Sequence, residues 1–578
     1  MFSIVLFMTL LGVNWVVQAM DNSFTNPMLP GWHSDPSCTG VIAELNNTAF
    51  CTASTFLATP GLPIYASQDL VNWKLVSSAL TRETQLPEIG NSTAGQQSGI
   101  FAPSFRYRNG TFHLVVVSVL DDGILGTIFT TSDPYSDEAW SDPLRFSAAS
   151  IDPDLFWDDD VDGQAYITFA GIQQVKIDLS TGETTTPYSI WNGTGGASPE
   201  GPHIYKPWND GYYYLMIAEG GTELGHSETI ARSTSIDGPY EAFEGNPILT
   251  NRNTSEYFQT VGHADLWQDA DGNWWGVALS TRSGPEWLNY PMGRESVLFN
   301  VTWEAGGWPI CQNPVQGQMT GWDLPPRSED LPGDGPFVDD PDVVDFEEYS
   351  SMPKQFVYWR WPKSENYVVS PEEKPNALKL LPSVANLTGG EDFVSTDGIT
   401  FVGRRQTDTL FNYSVDVDFG ATTAEQEVGV TAFLTQDQHI DLGLVLLPSD
   451  NTTTGLDYYL RFRVTGTGNY KGPAIDTVIQ TVPRTWFQPF RLGVQAINDT
   501  HYAFSASSTI DSDNAVIMGY APATLLSGGT GPFTGTLIGA YATSNGGTGN
   551  LPAYLSRWRY QGLGQKIGPD DYVASKTT

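Results

Sequence analysis

The chain has 578 residues and a formal net charge of −38, from 28 Lys and Arg against 66 Asp and Glu. That balance excludes a nucleic-acid partner, because a phosphate backbone demands a basic surface, and it disfavours docking on anionic membranes. The length exceeds what one hydrophobic core holds, so two large domains are expected, and 58 Gly, 38 Pro, 18 Trp, 25 Tyr and 28 Phe describe a turn-rich, all-β protein.

Residues 1–19 read as a signal peptide: an apolar run ends in the small-residue site Val17-Gln18-Ala19. The run is short for a membrane span, and no later segment is long and apolar enough to be one. A secreted, extracellular protein without membrane partners is therefore expected. Asn-x-Ser/Thr acceptors at Asn46, Asn91, Asn109, Asn192, Asn253, Asn300, Asn386, Asn412, Asn451 and Asn498 agree with a eukaryotic glycoprotein. Only Cys38, Cys51 and Cys311 are present, which excludes a disulfide-built scaffold, and no metal-type Cys/His spacing points to zinc. Cys38 and Cys51 flank a hairpin and are a candidate pair; the odd count leaves one thiol over without saying which.

From about residue 26 to 310, within an expected first domain of residues 20–325, a loose unit recurs at roughly fifty-residue intervals. Its five copies begin DPSCTGVIAE, APSFRYRNGTFHLVVVS, DPDLFWDDDVDGQAYITFAG, EGPHIYKPWNDGYYYLMIAE and HADLWQDADGNWWGVAL. Four contain Asn-Gly or Asp-Gly between aromatic or β-branched runs, the strongest local hairpin signal. β-Hairpin units at this period predict a five-bladed β-propeller. The innermost strand of every blade starts near the axis, so Asp35, Phe101-Ala102, Asp152, Glu200 and His263 are expected around one funnel. Residues 326–342, within a Pro-, Gly- and Asp-rich stretch, read as a linker. Period-two alternation in FNYSVDVDF, HIDLGLVLLP, LDYYLRFRV and FRLGVQAI then predicts a β-sandwich of jelly-roll or concanavalin-like type over residues 343–578.

Asp35, Asp152 and Glu200 each stand beside a proline or Gly-Pro step at the mouth of a strand-like run. Proline biases the residue before it toward extended backbone, which would hold a short carboxylate rigidly there. Inverting glycoside hydrolysis needs one carboxylate to activate water and one carboxylic acid to protonate the leaving oxygen, and a third carboxylate can keep that acid protonated. Asp154 competes with Asp152 for its role. The run Asp158, Asp159 and Asp160 reads as a solvated turn, and Glu219 and Glu223 as loop residues or pocket lining.

These residues resemble glycoside hydrolase family 43. Asn26-Pro27-Met28-Leu29-Pro30-Gly31-Trp32-His33-Ser34-Asp35-Pro36-Ser37 is similar to the family's opening motif, Ser150-Ile151-Asp152-Pro153-Asp154-Leu155-Phe156 to its second and Glu200-Gly201-Pro202-His203 to its third. The resemblance implies Asp35 as general base, Asp152 as pKa modulator and Glu200 as general acid. Thr260-Val261-Gly262-His263-Ala264-Asp265-Leu266 is similar to the segment whose axial histidine ligates calcium or its waters, so His263 and a structural calcium ion are implied together. Gly293-Arg294-Glu295 resembles the stretch whose arginine reaches the sugar, and Trp32, His33, Phe56 and Phe101 are candidates for the sugar platform. The stretch from Ser54 to Gly61 departs from the Trp-Phe-Pro-Gly of many xylosidases. The expected activity is inverting, exo-acting α-L-arabinofuranosidase on arabinoxylan. β-1,4-Xylosidase on xylo-oligosaccharides is the alternative. The rivals from other classes are a non-catalytic carbohydrate-binding protein and a retaining five-bladed enzyme.

Overall fold

A computed structural model describes residues 22–389, 393–450, 452–510 and 514–576. The signal-peptide segment and Asn451 lie outside the described residues. The chain folds as a five-bladed β-propeller followed by a β-sandwich. Each blade is a four-stranded antiparallel meander, and the inner strands are Ser34–Ile42, Gly99–Arg108, Asp154–Asp158, Glu200–Tyr205 and Phe258–Gln268. The hairpin signals mark real turns: Asn109-Gly110 and Asp162-Gly163 both have positive φ, the backbone that a tight turn between twisted strands requires. Cys38 and Cys51 are disulfide-bonded across the first two strands of blade I, and Cys311 is a buried free thiol.

The ring is closed from both ends of the domain. Strand Ser23–Thr25 pairs with Gln318–Thr320, and the buried Asn26 amide donates to the carbonyls of Leu298 and Gln316. At the axis, one side chain joins all five blades. Arg106 of blade II donates to Asp154 of blade III at 2.5 Å and to Asp265 of blade V at 2.8 Å, and its Nη2 lies 2.8 Å from His203 Nδ1 of blade IV. Asp265 also accepts from Ser37 of blade I at 2.6 Å and from Tyr205 at 2.9 Å. Burial, the largest single influence, would raise both aspartates, but the Arg106 charge together with His203 and the hydrogen bonds the aspartates accept outweighs it, so Asp154 is lowered and Asp265 is pushed down to about 2.

Just ahead of this network every blade carries one residue with left-handed backbone: Asp35 (φ 51°), Ala102 (38°), Asp152 (58°), Gly201 (53°) and His263 (53°). The expectation of extended backbone before proline is therefore wrong for Asp35 and Asp152. Proline disfavours the right-handed helical region for its predecessor, and aspartate tolerates the left-handed one. In blades I, II, IV and V the residue sits in a register break of the inner strand, between Ser34 and Ser37, Phe101 and Ser104, Glu200 and His203, and Gly262 and Asp265. Such bulges re-aim side chains out of the ladder, here at the mouth of the funnel.

The sandwich packs a nine-stranded sheet on a six-stranded one among the described residues, around a core that includes Phe411, Val415, Leu442, Leu460, Phe504 and Trp558. The domains are interlocked: Tyr358–Trp359 pairs with Ala58–Thr59 of the blade I insertion, and an apolar cluster joins Trp32, Phe56 and Leu57 to Trp359, Phe401 and Phe433. Removing the axial cation leaves Asp154 and Asp265 buried without a counter-charge. Arg106→Ala should therefore destabilise the protein by about 3–5 kcal/mol in chemical unfolding, whereas Lys374→Ala, from the more exposed pair with Asp418, should cost about 1 kcal/mol or less.

Candidate active site

The funnel brings together Asp35, Asp152, Glu200, His263 and Arg294. Asp35, Asp152, His263 and Arg294 are each less than a tenth exposed, and Glu200 is half-buried. The three carboxylates do not occupy equivalent positions. Asp35 and Asp152 are themselves the left-handed residues of their blades, whereas Glu200 precedes its blade's left-handed residue, Gly201. Gly201 needs to be glycine, since a Cβ there would lie 3.0 Å from the His263 ring in an already left-handed backbone.

Asp35 is held as an anion. Its Oδ2 accepts from Ser54 Oγ at 2.6 Å, and its Oδ1 lies 3.6 Å from Arg294 Nη1 and 3.7 Å from His263 Nδ1. Burial works to raise its pKa, but His263, Arg294 and the Ser54 hydroxyl together hold it below the ordinary carboxylate value. Burial also lowers His263, so near neutrality that ring is uncharged and Arg294 supplies the standing positive charge. The Ser54 hydroxyl in turn accepts from the Ala102 amide at 2.7 Å, tying Asp35 to blade II.

Asp152 and Glu200 behave in the opposite way. Burial is the main cause for each. Asp35 adds like-charge repulsion at Asp152, and Asp152 does so at Glu200, pushing both up to about 7. The Gly201 amide donates to Asp152 Oδ2 at 3.1 Å, linking Asp152 to Glu200 through one peptide unit. Because the two carboxyls are coupled, the value belongs to the pair. One pocket thus contains an ionised carboxylate and a carboxyl pair that retains protons to near neutrality.

Other acidic residues have structural tasks. Asp154 belongs to the axial network, and Asp158, expected to be solvated, is buried and accepts from Tyr213 and the Asp160 amide. Glu219 is buried and accepts from Thr194 N, Thr194 Oγ1, Gly196 N and Thr229 Oγ1, which fixes the loop ahead of Glu200. Buried Glu228 accepts from the Ala264 amide beside His263. Neither task has a sequence signal, because the bonds join different strands and loops.

The expected sugar platform needs correction. Trp32 is fully buried, stacking on Phe56, which is itself 1% exposed. His33 is 1% exposed and spends its ring nitrogens on the Gly31 carbonyl and the Tyr65 hydroxyl, lining a different cavity. These three support the pocket wall from behind. Phe101 keeps a half-buried face, and beside it stands a residue that the propeller motifs do not reveal, Phe533 of the sandwich. Phe533 stacks on Phe56 at 6.0 Å and lies under the Arg294 guanidinium at 4.4 Å. Its loop presses on the propeller so closely that a Cβ on Gly293 would meet Thr534 O at 2.1 Å. A lone aromatic in the glycine-rich run Gly528-Gly529-Thr530-Gly531-Pro532-Phe533 is the one hint available in the sequence.

Around His263 the described residues form no ready-made cluster of side-chain metal ligands. Among the described residues no group of three or more His, Cys, Asp and Glu side chains can hold a metal ion, whereas calcium takes six to eight oxygens. The nearby axial carboxylates, Asp154 and Asp265, are committed to Arg106.

Residues 24–309 match the glycosyl hydrolases family 43 model, and residues 343–561 match the β-xylosidase C-terminal concanavalin A-like domain. The chain is 32% identical over 550 residues to the non-reducing end α-L-arabinofuranosidase of Bacteroides ovatus, covering 93% of this chain and 94% of the relative. The chain belongs to glycosyl hydrolase family 43. It is also 32% identical over 435 residues to a β-xylosidase of Bacillus subtilis, covering 71% of this chain and 76% of that one. The solved Bacteroides ovatus xyloglucan PUL GH43B superposes with a TM-score of 0.79 at 31% identity, covering 94% of this chain and all of that one. The xylan β-1,4-xylosidase of Bacillus halodurans gives 0.77 at 27% identity, covering 93% and 100%. As a family 43 member the protein is a glycoside hydrolase with a carbohydrate substrate.

Two measurements probe this site. The kcat/KM profile should fall above about pH 7, where the Asp152–Glu200 pair loses its proton, with an acidic limb below the ordinary aspartate value. Asp152→Asn removes a negative charge beside Glu200, so the alkaline limb should move to lower pH. Phe533→Ala should lower kcat/KM roughly tenfold through the lost contact under Arg294, without moving either limb.

Proposed function

We propose that this family 43 enzyme is a secreted, inverting exo-glycosidase that removes α-L-arabinofuranosyl groups from arabinoxylan-type hemicellulose. The observation that carries the chemistry is the opposite protonation of Asp35 and the Asp152–Glu200 pair within one pocket. Ionised Asp35 takes a proton from the attacking water as oxygen bonds to the anomeric carbon. Glu200 gives its proton to the departing glycosidic oxygen, and Asp152 keeps Glu200 protonated until then. Direct displacement by water leaves the product with inverted configuration. Arg294 and Phe101 face the sugar together with Phe533, while Trp32 and Phe56 stiffen that wall.

The choice of arabinofuranose is supported by the Bacteroides ovatus relative, which matches both domains. Release of a β-xylosyl unit is the second reading, favoured by the Bacillus relatives. The apolar leader supports secretion. Asn46, Asn91, Asn109, Asn192, Asn253, Asn412 and Asn498 are exposed and accessible to glycans, while Asn300 and Asn386 are half-buried.

p-Nitrophenyl α-L-arabinofuranoside should be hydrolysed faster than the β-xyloside, and arabinose should be released from arabinoxylan; the reverse preference would select the xylosidase reading. Proton NMR of the first-formed sugar should show inverted configuration, and retention would refute the assigned roles. Asp35→Ala and Glu200→Ala should each lower turnover of the polymer about a thousandfold with folding intact.

A further inference from the structure

Arg405, on the sandwich strand Thr400–Arg405, is buried at the domain junction with 7% of its surface exposed. Its Nε donates to the Trp32 carbonyl at 2.8 Å, and its guanidinium lies 5.5 Å from the Trp32 ring. Its two terminal nitrogens hydrogen-bond to no described residue, and no carboxylate of the described residues pairs with it. The other buried arginines each have partners, among them Arg461 with Glu425 at 2.9 Å and Arg294 with Asp35 at 3.6 Å. Arg404 is paired with Asp342 at 3.1 Å, Arg282 with Glu295 at 2.6 Å, and Arg360, also without a carboxylate, uses all three nitrogens on Thr93, Gln436 and the carbonyls of Ala94 and Gly95. A buried cation without a partner is strongly unfavourable.

Arg405 lines a cavity between blade I, the linker and the sandwich, with a volume of about 30 Å³. No group around it supplies the missing negative charge. His33 Nδ1 faces the Gly31 carbonyl and must carry the proton, so Nε2 accepts from the Tyr65 hydroxyl and both rings are neutral. Burial reinforces this, lowering His33 and raising Tyr65. Asp342 is occupied by Arg404, Gln355 and Trp558, and Asp340 by Lys576 and the Phe337 amide.

We propose that this cavity binds a monatomic anion, chloride under ordinary conditions, on the Arg405 guanidinium. Size decides the class of ligand: one water needs roughly 10–15 Å³ on this measure, so the space suits a halide and not a five-atom oxyanion such as phosphate. The bound anion neutralises Arg405 and pins the sandwich to the Gly31-Trp32-His33 segment that leads into Asp35.

The test compares the full chain in sodium gluconate and sodium chloride at equal ionic strength, followed by thermal unfolding. Stability should rise with chloride and saturate, as for a ligand that binds only the folded state. Arg405→Met should abolish the saturable response. Equal midpoints in the two salts, or a saturable response that persists in Arg405→Met, would overturn the proposal. Should the variant not fold, crystals of the unaltered protein in sodium bromide decide the question: anomalous density against Arg405 supports the site, and ordered water alone there refutes it.

Discussion

The Arg106 guanidinium is the contact on which the rest of the propeller depends. Propeller blades pack face to face around an axis where inner strands converge without pairing, so something other than ladder hydrogen bonds must hold that convergence. Arg106 fills the position with a charge that two aspartates from different blades accept, while Ser37, His203 and Tyr205 complete the ring. The planar fork of arginine, with its several donors, suits a site that must bind in more than one direction. The arrangement fixes the heights of the inner strands relative to one another. The three funnel carboxylates, Asp35, Asp152 and Glu200, lie only two or three residues upstream of it in their blades.

Those carboxylates are differentiated by local backbone as much as by neighbours. Asp35 and Asp152 both take left-handed backbone at the mouth of their blades; Asp35 then accepts from Ser54 of its own blade, which the Ala102 amide of blade II holds in place, and Asp152 accepts from the Gly201 amide of blade IV. Glu200 sits one residue earlier in its bulge with a longer side chain and no such donor, so burial and the Asp152 charge dominate its titration. Two oppositely poised sets of groups arise from one repeated strand geometry, with Arg294 placed against Asp35.

The sandwich is part of the active site's construction. Phe533 completes the aromatic wall, and Arg282 links Glu295, the neighbour of Arg294, to Gln565 and the Lys566 carbonyl of the last long strand. Glu295 also accepts from the Gly31 amide at 2.6 Å, so the loop before Asp35, the arginine that faces it and the second domain form one continuous network. A sandwich serving only as a polysaccharide-binding appendage would have no need of that continuity.

The five-blade plan was legible because each blade repeats a local code: an Asp-Gly or Asn-Gly hairpin between apolar strands is decided within about twenty residues. The carboxylates Asp35, Asp152 and Glu200 were legible for the same reason, since each lies in a short motif at a strand's mouth. Their backbone was misread, because a bias against helical dihedrals does not choose between the extended and left-handed regions. The roles first assigned to Trp32 and His33 failed because aromatic identity does not reveal which face a ring presents. By itself the sequence determined the blades, the order of the three carboxylates and the presence of a second β-domain, all properties of local pattern. Only the tertiary structure decided the charge at the axis, the protonation of each carboxylate and the entry of Phe533 into the wall. Those depend on burial and on contacts between residues hundreds of positions apart.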